Sequence, residues 1–143
     1  MNDDHLYKIA RECSLKSDYT GAGRAKIGCI AVYKGSILAK GYNTDKTHSR
    51  QAIYNKWRYK KCENIYLPAK THAEIRVISK IKYLDIDFSR VHLYTYRETR
   101  EGKIAMSRPC PACMAAIKEM GIKYIHYTTN DGKCFEILEG KHD

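Results

Sequence analysis

Two short motifs constrain the fold of this 143-residue chain more than any other feature. One is Thr-His-Ala-Glu at residues 71–74, and the other is Pro-Cys-Pro-Ala-Cys at residues 109–113. Each stands at a predicted helix start, because Thr-x-x-Glu is a capping-box pattern and proline is favoured in a first helical turn. If His72, Cys110 and Cys113 serve one site, the fold has to bring two helix N-termini together.

The three side chains offer one imidazole and two thiolates, a donor set that suits zinc better than magnesium or calcium. Cys110 and Cys113 are three residues apart on a predicted helix, so they share a face, and the helix N-terminus stabilises their thiolate forms. With His72 they make a three-ligand set that leaves a fourth position open for a water, whose pKa zinc lowers to about 7. A structural zinc site and a redox-active cysteine pair remain alternatives. The first wants a fourth protein ligand, and the second leaves His72 unexplained.

Glu74 stands two residues after His72 in the first predicted turn. From there its carboxyl group can reach a metal-activated water, so we predict that it is the catalytic proton shuttle. The alternative is that Glu74 only closes the capping box with Thr71, a contribution of about 1 kcal/mol to helix stability.

The rest of the chain predicts alternating helices and strands in one domain spanning residues 1–143. Apolar residues recur at helical spacing near the start, and later runs are short, rich in β-formers and bounded by glycine. Asp3 or Asp4 is the predicted cap of the first helix, which the glycines at 21 and 23 follow. The predicted helices cover residues 3–17, 71–82 and 109–121, and the predicted strands cover residues 27–33, 37–42, 91–96, 122–128 and 133–138.

The charge composition of the chain limits the kinds of molecule it is expected to bind. Twenty-six Lys and Arg against 16 Asp and Glu give a net charge of +10, which favours anionic partners, including nucleotides and nucleic acid. The start of the chain shows no basic, apolar leader and no run is long enough to span a membrane, so we expect a soluble, cytoplasmic protein without membrane contact. The remaining four cysteines are expected to be reduced thiols: Cys13, Cys29, Cys62 and Cys134.

Taken together, the motifs resemble those of the cytidine deaminase superfamily, and the resemblance covers nearly the whole chain. The run at 26–32 resembles the family's first strand, and Gly-Tyr-Asn at 41–43 resembles the end of its second. The resemblance implies α/β/α layers around a five-stranded mixed sheet, zinc as cofactor and a homo-oligomer. It also implies that Asn43 contacts a sugar hydroxyl and that the backbone of Ala73 hydrogen-bonds the base. We further predict that Ser107, which precedes the cysteine motif, contacts substrate. A turn asparagine is the alternative for Asn43.

Two features of the sequence point to different branches of the superfamily. Asn-Asp-Gly at 130–132 predicts an antiparallel fifth strand, which resembles the free-nucleoside cytidine deaminases and blasticidin deaminases. His-Ala-Glu-Ile at 72–75 looks more like the tRNA adenosine, riboflavin-pathway and deoxycytidylate deaminases, and residues 97–107 look like an insertion. We expect hydrolytic deamination of a cytosine nucleoside or nucleotide. The alternatives are a deaminase of cytosine or adenine bases within single-stranded DNA or RNA, and a non-catalytic zinc-containing binding domain.

Residues 44–70 form a basic segment with interleaved aromatic side chains. It holds seven Lys or Arg against two Asp or Glu, together with Tyr54, Trp57, Tyr59 and Tyr66. Such a pattern can follow phosphates and stack on bases, and it also fits a solvated helix whose aromatic face packs on the core. The same segment contains His48 and Cys62, which are candidate ligands of a second metal site.

Overall fold

The structure is a computed structural model that describes residues 2–20, 25–55 and 70–138. Along these residues the predicted helices and strands occur in the predicted order, with an additional short α-helix after the second strand and a one-turn 3₁₀ helix at Phe88–Arg90. The helices are α1 (Asp3–Ser14), α2 (Ser49–Tyr54), α3 (Ala73–Ile81) and α4 (Pro111–Met120), and the strands are β1 (Lys26–Tyr33), β2 (Ser36–Tyr42), β3 (His92–Glu98), β4 (Tyr124–Thr129) and β5 (Gly132–Ile137).

The five strands make one mixed sheet in the order β2-β1-β3-β4-β5. β1 pairs antiparallel with β2 and with β3, whereas β3 and β4 run parallel. β5 pairs antiparallel with β4, and Thr129 lies opposite Gly132 at the connecting turn. The mixed sheet and the antiparallel fifth strand predicted from Asn-Asp-Gly are both confirmed.

The helices cover the two faces of the sheet in separate layers. Alternate residues of β1 face opposite sides, so Ile30 and Val32 pack against α1 while Cys29 and Ala31 join the core under α3 and α4. This alternation produces the expected α/β/α layers. It also places α3 and α4 side by side on one face, where their first residues can meet.

Two glycines allow helices to approach the sheet closely. A side chain at Gly28 would overlap the carbonyl oxygen of Ala10 in α1, and a Cβ at Gly41 would lie 3.0 Å from the carbonyl oxygen of Ala73. Because glycine carries no side chain, β1 and β2 contact α1 and the first turn of α3 at the backbone. The Gly41 contact fixes the height of the first turn of α3 above the sheet.

The helix ends differ from the predicted ones by one to three residues. Asn2 caps α1 by accepting a hydrogen bond from the His5 N–H, in place of the predicted Asp3 or Asp4, and the helix ends at Ser14 instead of residue 17. α4 begins at Pro111, not at the predicted proline 109, and ends before Gly121, which has φ +86°. Residues 21–24, predicted to follow the first helix as a glycine-rich stretch, lie outside the described residues.

No helix in the described ranges has the length and apolar character needed to cross a membrane. Five of the six cysteines lie in the described part of the chain, and all five are free thiols. The sixth, Cys62, lies outside it.

Candidate metal centre and active site

Two helix starts bring three ligand atoms together. His72 immediately precedes α3 and Cys110 immediately precedes α4, both with extended backbone, and Pro111 occupies the first position of α4. Cys113 follows one turn later and is fully buried. Because α3 and α4 pack on the same face of the sheet, the imidazole and both thiols converge between their N-termini.

The spacing of these atoms matches a tetrahedral metal site. His72 Nδ1 lies 3.5 Å from Cys110 Sγ and 3.3 Å from Cys113 Sγ, and the three atoms lie within 4.8 Å of one another. Zinc–sulfur and zinc–nitrogen bonds of about 2.3 and 2.0 Å at a tetrahedral angle give a nitrogen–sulfur separation of roughly 3.5 Å. In residues 2–20, 25–55 and 70–138, this is the group of three metal-binding side chains that could hold an ion. The donor set and its spacing therefore fit zinc.

The electrostatics of the cluster favour a thiolate. A hydrogen bond from Cys113 and the nearby His72 hold the pKa of Cys110 well below its usual range, although partial burial opposes them. Burial raises the pKa of Cys113. The N-terminal end of α4 adds a positive potential at both sulfur atoms. The negative charge of the pair therefore falls on Cys110, to which Cys113 donates a hydrogen bond.

Glu74 is the second residue of α3 and is only 3% exposed. Burial raises its pKa to about 7, His72 opposes the shift, and Cys110 adds to it. The carboxyl group therefore sits beside the three ligands, out of contact with bulk water. In that setting it can gain or lose a proton near neutral pH.

The predicted capping box is wrong. α3 begins one residue later than the pattern requires, so His72 occupies the cap position rather than the first turn, and its side chain makes no capping hydrogen bond. The Thr71 hydroxyl instead donates to the carbonyl oxygen of Lys46 at 2.7 Å, as does the Thr71 N–H at 2.9 Å. These bonds tie the turn that carries His72 to the segment that follows β2, and Glu74 has no capping role with Thr71.

Comparison with known protein families bears on this arrangement. The sequence model described as "Cytidine and deoxycytidylate deaminase zinc-binding region" matches residues 1–129. The chain belongs to that family. Among curated protein sequences, nothing matches it significantly.

Two solved structures share the deaminase-family fold of this chain. The dCMP deaminase of the cyanophage S-TIM5, solved in complex with dCMP and dUMP, is 22% identical, covers 89% of this chain and 82% of its own, and superposes with a TM-score of 0.58. The cytidine deaminase of Burkholderia pseudomallei is 17% identical, covers 96% and 93%, and gives a TM-score of 0.62. At these identities the likeness establishes the fold of this family member.

Asn43, the predicted sugar contact, is buried directly after β2. Its Oδ1 accepts hydrogen bonds from the Ile27 N–H at 2.9 Å and the Ser17 hydroxyl at 2.6 Å, while its Nδ2 donates to the Ala25 carbonyl at 2.7 Å. The side chain therefore joins the end of β2 to the start of β1. The sugar contact of this family member stays a prediction.

Ser107, the predicted substrate contact before the cysteine motif, is also buried. Its hydroxyl accepts from the Thr128 N–H at 2.8 Å and lies 3.1 Å from the Thr95 carbonyl, to which it can donate. These bonds fasten the connection to α4 between β3 and β4. Ala73, by contrast, is the first residue of α3 and lies between His72 and Glu74 in the site. Substrate contacts by Ser107 and Ala73 stay predictions.

A cavity of about 280 Å³ is lined by Thr71, the residue before His72. Lys46 and Arg76 also line it, with Asp18 as an acidic neighbour. The cavity thus has two permanent cations and one carboxylate in its wall, together with the residue that precedes His72. Sequence inspection alone did not identify it.

The basic segment 44–70 is described only in part. Residues 56–69, which include Trp57, Tyr59, Tyr66 and Cys62, lie outside the described residues. Tyr54 is buried, and its hydroxyl donates to Glu119 of α4 at 2.8 Å. His48 caps α2, with its Nδ1 accepting from the Arg50 N–H at 3.0 Å. The predicted groove and second metal site stay predictions.

Proposed function

We propose that this protein is a zinc-dependent hydrolytic deaminase that converts a cytosine nucleoside or nucleotide to the uracil form and releases ammonia. One observation carries the proposal: His72, Cys110 and Cys113 converge at two facing helix starts with the buried carboxyl group of Glu74 beside them. Membership of the deaminase family supports it. A redox pair has no use for this buried acid, and a structural zinc site uses four protein ligands.

The metal and the acid have separate tasks. Zinc, when bound by His72, Cys110 and Cys113, supplies Lewis-acid activation of a water, lowering its pKa to about 7. As the water oxygen forms a bond to C4 of the base, Glu74 accepts a proton from that water and donates it to ring nitrogen N3, which keeps it in the uracil product. Glu74 then carries the second water proton to the exocyclic amine while the C4–N bond breaks, so that ammonia leaves and the C4 carbonyl forms.

The first turn of α3 positions the base in this proposal. The opening N–H groups of a helix have no partner within the helix, and Ala73 is the first helical residue. Its backbone donor can therefore meet a base oxygen beside Glu74. The close contact at Gly41 holds that turn at a fixed height, so base and acid keep one spacing.

Three observations support a free nucleoside or nucleotide as the substrate. β5 runs antiparallel to β4, the arrangement expected by resemblance to the free-nucleoside cytidine deaminases. The cavity lined by Thr71 offers Lys46 and Arg76 to a phosphate. A similar fold is that of the S-TIM5 dCMP deaminase, which was solved with dCMP and dUMP. A polynucleotide substrate is supported by the net charge of +10.

The deciding experiment is ammonia release by the zinc-loaded protein, with Glu74→Ala alongside. Cytidine, deoxycytidine, their monophosphates, and single-stranded DNA and RNA are offered separately. We expect turnover of a small substrate, and a rate reduced by about 10²-fold or more in Glu74→Ala at undiminished zinc content. Equal rates in parent and variant would refute the catalytic role of Glu74. The absence of ammonia release from every substrate would favour a non-catalytic zinc domain.

Salt dependence separates small from polymeric substrates. A nucleotide that neutralises one or two phosphates gives a shallow fall in affinity with added salt, whereas a polynucleotide track gives a steep one. We expect the shallow response. A steep response together with turnover of DNA or RNA alone would transfer the proposal to a polynucleotide deaminase.

A further inference from the structure

The peptide group that carries His72 is held at both of its polar ends. The Thr71 carbonyl accepts from the Thr44 N–H at 3.0 Å, and the His72 N–H donates to Gln51 Oε1 at 3.0 Å. These two atoms belong to the same rigid peptide plane, so the two hydrogen bonds fix its orientation. The direction of the His72 side chain follows from that plane, and Nδ1 has to face both cysteine sulfurs.

Gln51, which accepts this hydrogen bond, lies in the protein interior. It is 0% exposed, and its amide nitrogen donates to Asn55 Oδ1 at 2.9 Å, so both ends of the side-chain amide are engaged. Gln51, Tyr54 and Asn55 share one side of α2 by helical spacing. Tyr54 reaches Glu119 of α4, so α2 is anchored to the second ligand helix independently of Gln51.

We infer that Gln51 is a positioning residue of the metal centre, which raises zinc affinity by holding the His72 peptide in its ligating orientation. The inference rests on the proposed zinc site and adds to it a residue that supplies no ligand atom. Gln51 acts 21 residues away along the chain, through a backbone N–H rather than the imidazole ring.

The expected size of the effect follows from the way ligand-supporting groups behave in metal proteins. Removing a hydrogen bond that orients a ligand typically lowers metal affinity by about 10- to 100-fold. Gln51→Met keeps the length and volume of the side chain but removes the acceptor for His72 and the donor to Asn55. Because Tyr54 still anchors α2, the substitution isolates the hydrogen bonds from the position of the helix.

The test is zinc affinity measured by competition with a chromophoric chelator, which needs no substrate. We expect Gln51→Met to bind zinc about 10- to 100-fold more weakly than the parent. Gln51→Glu keeps an oxygen acceptor for the His72 N–H, so its affinity should lie closer to the parent value. Ile53→Gln is the matched control, because Ile53 is exposed on the same helix and should leave affinity within about twofold.

Two further readouts separate positioning from packing. The cobalt-substituted protein reports ligand geometry through its visible and thiolate-to-metal bands, and these should shift in Gln51→Met but not in Ile53→Gln. Urea unfolding of the metal-free proteins reports packing alone. Parent-like affinity and cobalt spectra in Gln51→Met would overturn the inference while leaving the zinc site intact, whereas a parent protein that binds no zinc would overturn both.

If Gln51→Met fails to fold, Gln51→Leu decides, because leucine also lacks an acceptor for the His72 N–H. Weaker zinc binding by a folded Gln51→Leu than by Ile53→Gln, accompanied by a shifted cobalt spectrum, supports the inference. Parent-like zinc affinity and cobalt spectra in Gln51→Leu, even with a loss of metal-free stability, would overturn it.

Discussion

Acid should destabilise this protein through one buried histidine. His126 on β4 is 6% exposed, its ring stacks on Tyr94 at 4.0 Å between centroids, and its Nε2 lies 2.8 Å from His92 Nδ1. Burial lowers the pKa of His126 from 6.5 to about 4, although Asp3 nearby opposes the shift. The folded protein therefore keeps this ring neutral where the unfolded chain protonates it.

Proton linkage gives the direction and size of the change in the free energy of unfolding with pH. Between pH 6.5 and about 4 the unfolded state binds more protons at this position, so the free energy of unfolding falls as the pH is lowered through that window. At 1.36 kcal/mol for each pH unit of separation, the full loss is about 3 kcal/mol. For a domain of this size that is a large share of a total stability of about 5–15 kcal/mol.

The measurement is urea unfolding between pH 4 and 8 for the parent and for His126→Phe. Phenylalanine keeps a ring against Tyr94 but cannot take up a proton. Subtracting the two pH profiles removes the carboxylates and metal ligands that both proteins share. We expect the parent to lose about 3 kcal/mol more than the variant between pH 7 and pH 4. His5→Gln is the control, since His5 is exposed on α1.

Parallel pH profiles for parent and His126→Phe would refute the reasoning. They would mean that the folded protein accepts the proton on this ring at no cost, for example by sharing it with His92. A drop that also disappears in His5→Gln would equally contradict it, because the loss would then not belong to the buried pair.

Three further predictions concern the site. Lys46→Ala keeps the backbone that holds Thr71 but removes one cation of the cavity. KM for a cytosine monophosphate should therefore rise about fivefold, while KM for the nucleoside stays unchanged. Steady-state kinetics with both substrates test this, and equal changes in the two KM values would contradict it. Zinc added at 100 times its dissociation constant should stabilise the metal-free protein against unfolding by about 2.7 kcal/mol, as measured by calorimetry. Cys113→Ser should abolish that stabilisation, and a variant that keeps it would contradict the ligand assignment. Gly41→Ala should lower the free energy of unfolding by about 1–3 kcal/mol and reduce turnover, because the added Cβ would lie 3.0 Å from the Ala73 carbonyl oxygen. Parent-like unfolding in urea would contradict the close contact.

Local sequence patterns predicted most of the fold. Each of the five strands lies within two residues of its predicted start, because alternation of apolar and polar residues reflects the two faces of the sheet. α4 ends at Met120, one residue before the predicted end at Gly121, since glycine adopts its left-handed conformation without strain. A helix in the segment 44–70 was given only as an alternative, because the six residues of α2 lie inside a charged segment and show no apolar periodicity.

Polar side chains were harder to interpret than apolar ones. Asn43 and Ser107 were predicted to contact substrate, and the structure places their polar atoms in hydrogen bonds that join strands and connections. The capping-box pattern at Thr71 is wrong, because the hydroxyl bonds to the Lys46 carbonyl instead, whereas the substrate contacts of Asn43 and Ser107 stay predictions. A hydroxyl or amide bonds equally well to its own helix, to a distant backbone or to a ligand, and sequence spacing does not distinguish these partners.

By itself, the sequence determined the chemistry that the site can offer and the elements that carry it. An imidazole, two thiols and an acid at two helix starts are properties of local residue order. Only the tertiary structure decided that those helix starts face each other, that Glu74 is buried, and that Gln51 holds the His72 peptide. The reason is physical: burial and hydrogen bonding between residues far apart in the chain depend on how the layers pack, and no local pattern encodes that packing.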